Sequence, residues 1–216
     1  MKTKRSPQPV PRRTPDEARA EIILVARDFL MRRPFHEMTV GRLMERTQTT
    51  RSAFYAHFKD VYDLAEVFVH ELSQSIEDGS AQWIRGEGEP VEEIRKSLES
   101  GIALWEAEGP LIRALAQASL RDKRLERIWR DQMAGDFAAR LAKIIRRDQS
   151  AGLIPPMDAA QMAEALIQFN IAYLNARFGS DTQSRPKRAE VLALLQRVWL
   201  GTLYGSAPPR PGRRRT

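Results

Sequence analysis

Thr50, Arg51, Ser52 and Tyr55 set four hydrogen-bonding side chains along a short run, TRSAFYAHF at residues 50–58. Phe54 and Phe58, one helical turn apart, make the opposite side apolar. Polar side chains near the start of a helix suit the major groove, where base edges lie close to an inserted backbone. Arg51 carries the donor fork that pairs bidentately with guanine, worth about 1–3 kcal/mol of discrimination where the pair forms; it serves equally as a phosphate contact or a solvated arginine. Tyr55 either positions a phosphate or packs half-buried with its hydroxyl in water, and His57 either touches phosphate or packs beside Phe58. A second short segment begins at Thr39, and the tight link Thr47-Gln48-Thr49 joins it to the run. That order reads as helix-turn-helix, and so as DNA recognition.

Catalytic chemistry is poorly supplied by comparison. His36, His57 and His70 form no metal-binding pair at helical spacing, the chain has no cysteine, and neither a nucleophile elbow nor a phosphate loop occurs. The two glycines of RGEGEP at 85–90 are wrongly placed to cradle a phosphate. Glu92 with Glu93, and Glu106 with Glu108, read as charge on solvated helix faces. No catalytic residue, metal or cofactor is expected, and an enzyme would need scattered residues that form no motif.

The formal charge of +7 over 216 residues is uneven. Residues 1–60 hold 13 Lys and Arg against 7 Asp and Glu; residues 205–216 hold four Arg and no acid; residues 61–204 hold 18 basic against 21 acidic. One basic end on a mildly acidic body suits binding to phosphates. The tail at 205–216 is either part of that surface or simply solvated. Without cysteines, without an apolar run of membrane-spanning length and without a signal-peptide stretch, the chain reads as a soluble, unprocessed cytoplasmic protein with no membrane partner.

The elements that must position the run are all helical. Residues 1–13 combine three prolines with five basic residues and read as a disordered basic arm, with Lys2, Lys4, Arg5, Arg12 and Arg13 available to DNA. Thr14-Pro15-Asp16-Glu17 is a capping box with proline at the first helical position. Ile22, Ile23, Ala26, Phe29 and Leu30 follow as a one-sided stripe that stops before Pro34. Thr39 caps a second helix, Thr50 starts the third, and Asp60 starts a long fourth helix reaching Trp83. Beyond Pro90, helices are expected at 91–107, 110–119, 122–151, 158–178 and 187–204. Gly109-Pro110, Gly152 to Pro156 and the polar stretch 179–186 are the expected breaks. The architecture is thus all-α, with about nine helices. The expected division is an arm at 1–13, a DNA-binding domain at 14–72, a helical regulatory and dimerisation domain at 73–204, and a basic tail at 205–216.

These motifs resemble the tetracycline-repressor (TetR) family of transcription regulators. The resemblance covers residues 14–72 by motif: a first helix, the Thr39-Val40 helix start, and a recognition helix ending in an aromatic pair like Tyr55 and Phe58. GIALWEAEGPLIRALAQAS at 101–119, the stretch around Trp129 and Met133, and VWLGTLYG at 198–205 are similar to the ethionamide-resistance repressor branch, which extends the likeness to nearly the whole chain. Two departures stand out. Thr47-Gln48-Thr49 replaces the family's Ala-Gly-Val turn, so a residue with a side chain must make the bend. Asp60-Val61-Tyr62 replaces the usual Ser-Lys-Glu, leaving Lys59 as the available cation.

The resemblance implies a dimer that binds a double-stranded, roughly palindromic operator and is released by a small apolar effector. Thr39, Thr50 and Tyr55 are implied phosphate contacts, and Arg42, Thr47, Gln48, Arg51, Ser52, His57 and Lys59 complete the expected DNA-facing set. The effector site is expected at Trp105, Met133, Phe137, Phe169, Asn170, Tyr173 and Trp199. Asn170 falls where the branch has a ligand-contacting asparagine, while the second such asparagine is Ile167 here. The dimer contact is expected from the last two helices through Phe178, Leu192, Leu195, Val198 and Thr202. A helical small-molecule carrier that no longer reads DNA is the alternative, motivated by the altered turn.

Overall fold

The computed structural model describes residues 14–179 and 186–205. The basic arm and the tail beyond Gly205 lie outside these residues. Helix α1 (Pro15–Arg32) begins at the expected capping box: the Thr14 hydroxyl accepts from the Glu17 N–H, and the Glu17 carboxylate accepts from the Thr14 N–H. A single 3-10 turn at Phe35–Glu37 leads to α2 (Val40–Met44) and α3 (Arg51–His57). Each is too short to stand alone, since nucleation dominates a helix of one or two turns. Burial of Leu43 and Phe54 against Ile22, Ala26 and Phe29 holds them.

Helix α4 (Val61–Arg85) starts where the Asp60 carboxylate accepts from the N–H groups of Tyr62 and Asp63, and ends at Gly86, whose φ of 76° is left-handed. It crosses the boundary expected at residue 72. Leu64, Phe68 and Val69 near its start are fully buried, and Trp83 near its end belongs to the same continuous core.

Helix α5 runs unbroken from Pro90 to Ser119, with Pro110 inside it. The break expected at Gly109-Pro110 is therefore absent. Gly109 serves close approach instead: a Cβ there would stand 2.2 Å from the carbonyl oxygen of Phe178 on α8. Helix α6 (Lys123–Ile128), a π-helical turn (Trp129–Gly135) and α7 (Asp136–Ser150) form one continuous helical stretch, as the span 122–151 predicts, but with a widened turn in its middle. Helices α8 (Ala159–Phe178) and α9 (Arg188–Tyr204) complete the chain. Every regular element among the described residues is helical, and none of their helices is long and apolar enough to cross a membrane.

The four acids expected on solvated faces all have cationic partners, Glu92 in Arg95 and Glu106 in Arg188, and two of them sit deeper than expected. Glu93 is buried and 2.7 Å from the Lys96 ammonium, and Glu108 accepts from Arg27 at 2.7 Å. Burial asks a carboxylate for a cationic partner, and both have one.

Candidate functional site

The exposed end of the helix-turn-helix is built by its caps. The Thr39 hydroxyl accepts from the Arg42 N–H at 3.2 Å, and the Thr50 hydroxyl accepts from the Ala53 N–H at 3.2 Å. Phe54 and Phe58 are buried with rings 5.5 Å apart, which fixes the rotation of α3. Arg51, Ser52 and Tyr55 consequently face outward, with Tyr55 60% exposed.

The unusual turn is made by hydroxyls. Thr47 donates to the Met44 carbonyl at 3.2 Å, and its oxygen lies 2.9 Å from the Thr49 hydroxyl. No non-glycine residue in the described chain takes a positive φ, so the bend needs no left-handed residue. Thr47 is thus half-buried turn structure, whereas Gln48 is exposed beside it, its backbone N–H donating to Glu21.

The cations at this end divide sharply. Arg27 pairs with Glu71 and Glu108, Arg32 and Arg46 with Asp28, and Arg33 and Arg42 with Glu37. Glu37 is held below the usual carboxylate range, first by its hydrogen bond from Arg33 and further by Arg42. Arg42, expected to face DNA, therefore has its guanidinium engaged by Glu37 and by the Glu37 carbonyl at 3.0 Å. Arg51 has no such carboxylate among the described residues. Lys59 is exposed just past α3, and His57 is half-buried with its ring 6.3 Å from that of Phe58.

The second site is an apolar cavity of about 50 Å³ lined by α4, α5, the π turn, α7, α8 and α9. Trp105, Met133, Phe137, Asn170 and Trp199 line it as expected. Phe169 and Tyr173 do not. They sit on the outer side of α8, stacked at 5.8 Å with Phe169 37% exposed, and the Arg177 guanidinium lies over the Tyr173 ring. Leu195, expected at a dimer contact, is fully buried and lines the cavity instead. Phe178 is buried as well, its backbone carbonyl directed at Gly109. Leu192, Val198 and Thr202 remain half-exposed on α9.

The polar groups of the cavity are mostly spoken for. The Trp199 indole N–H donates to Asn170 Oδ1 at 3.0 Å, and the Trp105 indole N–H donates to Asn175 Oδ1 at 3.0 Å. Ser80 and Ser97 hydroxyls lie 2.6 Å apart. Two donors are not: Trp83, 3% exposed and lining the cavity, has an indole nitrogen without an acceptor among the described residues, and Asn170 spends only its amide oxygen on Trp199. Sequence reasoning missed Trp83 and Asn175. The signal that singled out Asn170, an amide on an apolar helix, applies equally to Asn175; nothing local marks Trp83.

A physical path joins the two sites. Met133 lies on the π turn, and the Ser73 hydroxyl of α4 donates to the Gln132 carbonyl of that turn at 3.0 Å. At the other end of α6, Arg124 donates to Asp60, the cap of α4, at 3.1 Å, and lies 2.6 Å from Glu66 as a charge contact without an aligned hydrogen bond. Asp60 follows α3 by three residues.

Comparison with known proteins agrees with this geometry. The family described as "Transcriptional regulator EthR, C-terminal domain" matches residues 94–205. The HTH-type transcriptional regulator EthR of Mycolicibacterium smegmatis is 23% identical over 195 residues, covering 89% of each chain. A TetR-family transcriptional regulator from Syntrophomonas wolfei superposes with a TM-score of 0.72 at 10% identity, covering 87% of this chain and 95% of the other. AibR, solved in complex with isovaleryl coenzyme A and operator DNA, superposes with a TM-score of 0.64 at 14% identity, covering 87% and 98%. With a match over more than half of its length and a helix-turn-helix ahead of it, the chain belongs to the EthR family of TetR-type transcriptional regulators.

Proposed function

We propose that the protein is a cytoplasmic, homodimeric repressor that binds a roughly palindromic operator through α3 and is released by a small, neutral, apolar effector. The observation that carries this reading is the apolar cavity between the helices and its contact with the π turn. A space of about 50 Å³ holds only a few waters. Any larger effector must part the surrounding helices, and the parted state is then the one it stabilises. Movement of the π turn shifts α6, and Arg124 transmits that shift to the cap of α4 directly behind the recognition helix.

The lining also sets the effector's chemistry. It contains no charged side chain, and the Trp83 N–H and the Asn170 amide N–H groups are donors without an acceptor among the described residues. A neutral molecule with one acceptor, such as an ester, ketone or ether, fits that inventory better than a carboxylate, whose charge would be buried without a partner. Loss of DNA reading, the alternative motivated by the altered turn, has little support, because the threonine hydroxyls complete the bend without strain.

The test is selection of bound duplexes from a random pool, repeated with neutral apolar ligands. Enrichment of a two-fold symmetric site, reduced by an acceptor-bearing ligand and not by its hydrocarbon analogue, is the expected result. Failure to enrich any sequence would overturn the repressor reading.

A further inference from the structure

The Arg51 guanidinium rests against the bare backbone of Gly41. A Cβ built on Gly41 would lie 3.0 Å from Arg51 Nη2, tighter than ordinary contact, with Arg51 Cζ and the Thr39 hydroxyl at 3.9 Å. The guanidinium of α3 therefore rests across α2 in the space that a side chain at position 41 would fill. We propose that Gly41 is a positioning residue that presents Arg51 to a guanine, and so fixes one base of each operator half-site; the proposal rests on the operator reading above.

Three observations converge on it. Arg51 occupies the first position of α3, on the exposed side shared with Ser52 and Tyr55. Among the described residues it has no carboxylate partner, although Arg27, Arg32, Arg33, Arg42 and Arg46 of the same end each have one. Arg42, the neighbouring cation on α2, is turned onto Glu37 and leaves the space over Gly41 to Arg51. An unengaged guanidinium held against a helix backbone loses less freedom on binding than a free one, and its fork matches guanine O6 and N7. Glycine inside a helix costs about 1 kcal/mol against alanine, so its presence in the short α2 calls for a reason outside helix stability.

The test uses the full-length protein and its G41A, G41L, R51A and G41L/R51A variants, with selection from a random duplex pool, competition against single-base variants of the selected site, and salt titration. Wild-type protein is expected to require guanine at one position per half-site, with about a tenfold loss on replacing it. R51A should lose that preference alone. G41L should lose it too with the salt slope retained, G41A should lose part of it, and the double variant should be no worse than R51A, the signature of a shared route. Melting temperatures of the Gly41 variants should equal or exceed the wild type, which separates positioning from folding. Unchanged guanine preference in both Gly41 variants, or retained guanine preference in R51A, would overturn the inference while leaving the operator reading intact. A wild-type protein that enriches no sequence would overturn both.

Discussion

Asn170 holds the buried indole of Trp199 by accepting its N–H at 3.0 Å. An amide on an apolar helix demands a partner, and that demand is visible in the sequence; which partner answers it depends on how the next helix packs. The structure supplies Trp199, 29 residues on. Replacing Asn170 by Leu leaves the buried Trp199 N–H without an acceptor, and denaturant unfolding should show a loss of about 1–3 kcal/mol. A stability equal to wild type would mean the indole finds another acceptor. Tyr204 offers a pH test at the same scale. Burial, then the hydrogen bond to Asp148 at 2.7 Å and that residue's charge, pushes its phenol well above the ordinary value of 10.0. The folded state keeps a proton that the unfolded chain releases near pH 10, so this contribution is complete below that pH and declines as pH rises above it. Stability measured at about pH 9 and about pH 11 should fall more steeply in wild type than in Y204F, even though Y204F starts lower for want of its hydrogen bond.

At the scale of elements, caps were legible and a glycine was not. Thr14, Thr39, Thr50 and Asp60 each act on backbone within three residues, so local sequence suffices to place the starts of α1 to α4. Gly109-Pro110 carries the local signature of a break, yet α5 continues through it because packing against α8 outweighs the loss of one helical hydrogen bond. G109A separates the two explanations. Alanine should gain about 1 kcal/mol of helix propensity if Gly109 is merely tolerated. Its Cβ would instead meet backbone at 2.2 Å, and backbone cannot swing aside as a side-chain tip can. A net loss of about 1–3 kcal/mol in thermal or denaturant unfolding is expected. Arg124 acts between elements without holding either one together. Its partners Asp60 and Glu66 are each about a third to a half exposed, so the pairs add little stability. R124M should therefore melt close to wild type, while the factor by which an effector lowers operator affinity shrinks several-fold, because coupling of about 1–3 kcal/mol runs through few contacts. Unchanged effector response would remove α6 from the path.

For the molecule as a whole, the two last helices posed the problem that periodicity cannot solve. Helices α8 and α9 are apolar on more than one side, and such a helix is buried on more than one side. Sequence pattern does not say which apolar side meets the protein's own core. Leu195 and Phe178 turn inward, while Phe169 and Tyr173 turn outward, the reverse of the expected assignments. The outer side now presents Phe169 at 37% and Leu194 at 40% exposure, with Tyr173, Leu192 and Val198 half-buried. These exposed apolar side chains are where we place the proposed dimer contact, and a two-fold contact there would match the proposed two-fold operator. The double variant F169E/L194E introduces like charges on both sides of such a contact without touching the cavity, which neither residue lines. It should keep its helical content and sediment as a monomer at micromolar concentration. Its operator affinity should fall by about a hundredfold or more, because two half-site contacts no longer share one particle. L195E is the control: an acid on a fully buried, cavity-lining residue should unfold the chain rather than divide the proposed dimer. A folded F169E/L194E protein that still sediments as a dimer would move the contact elsewhere on the surface.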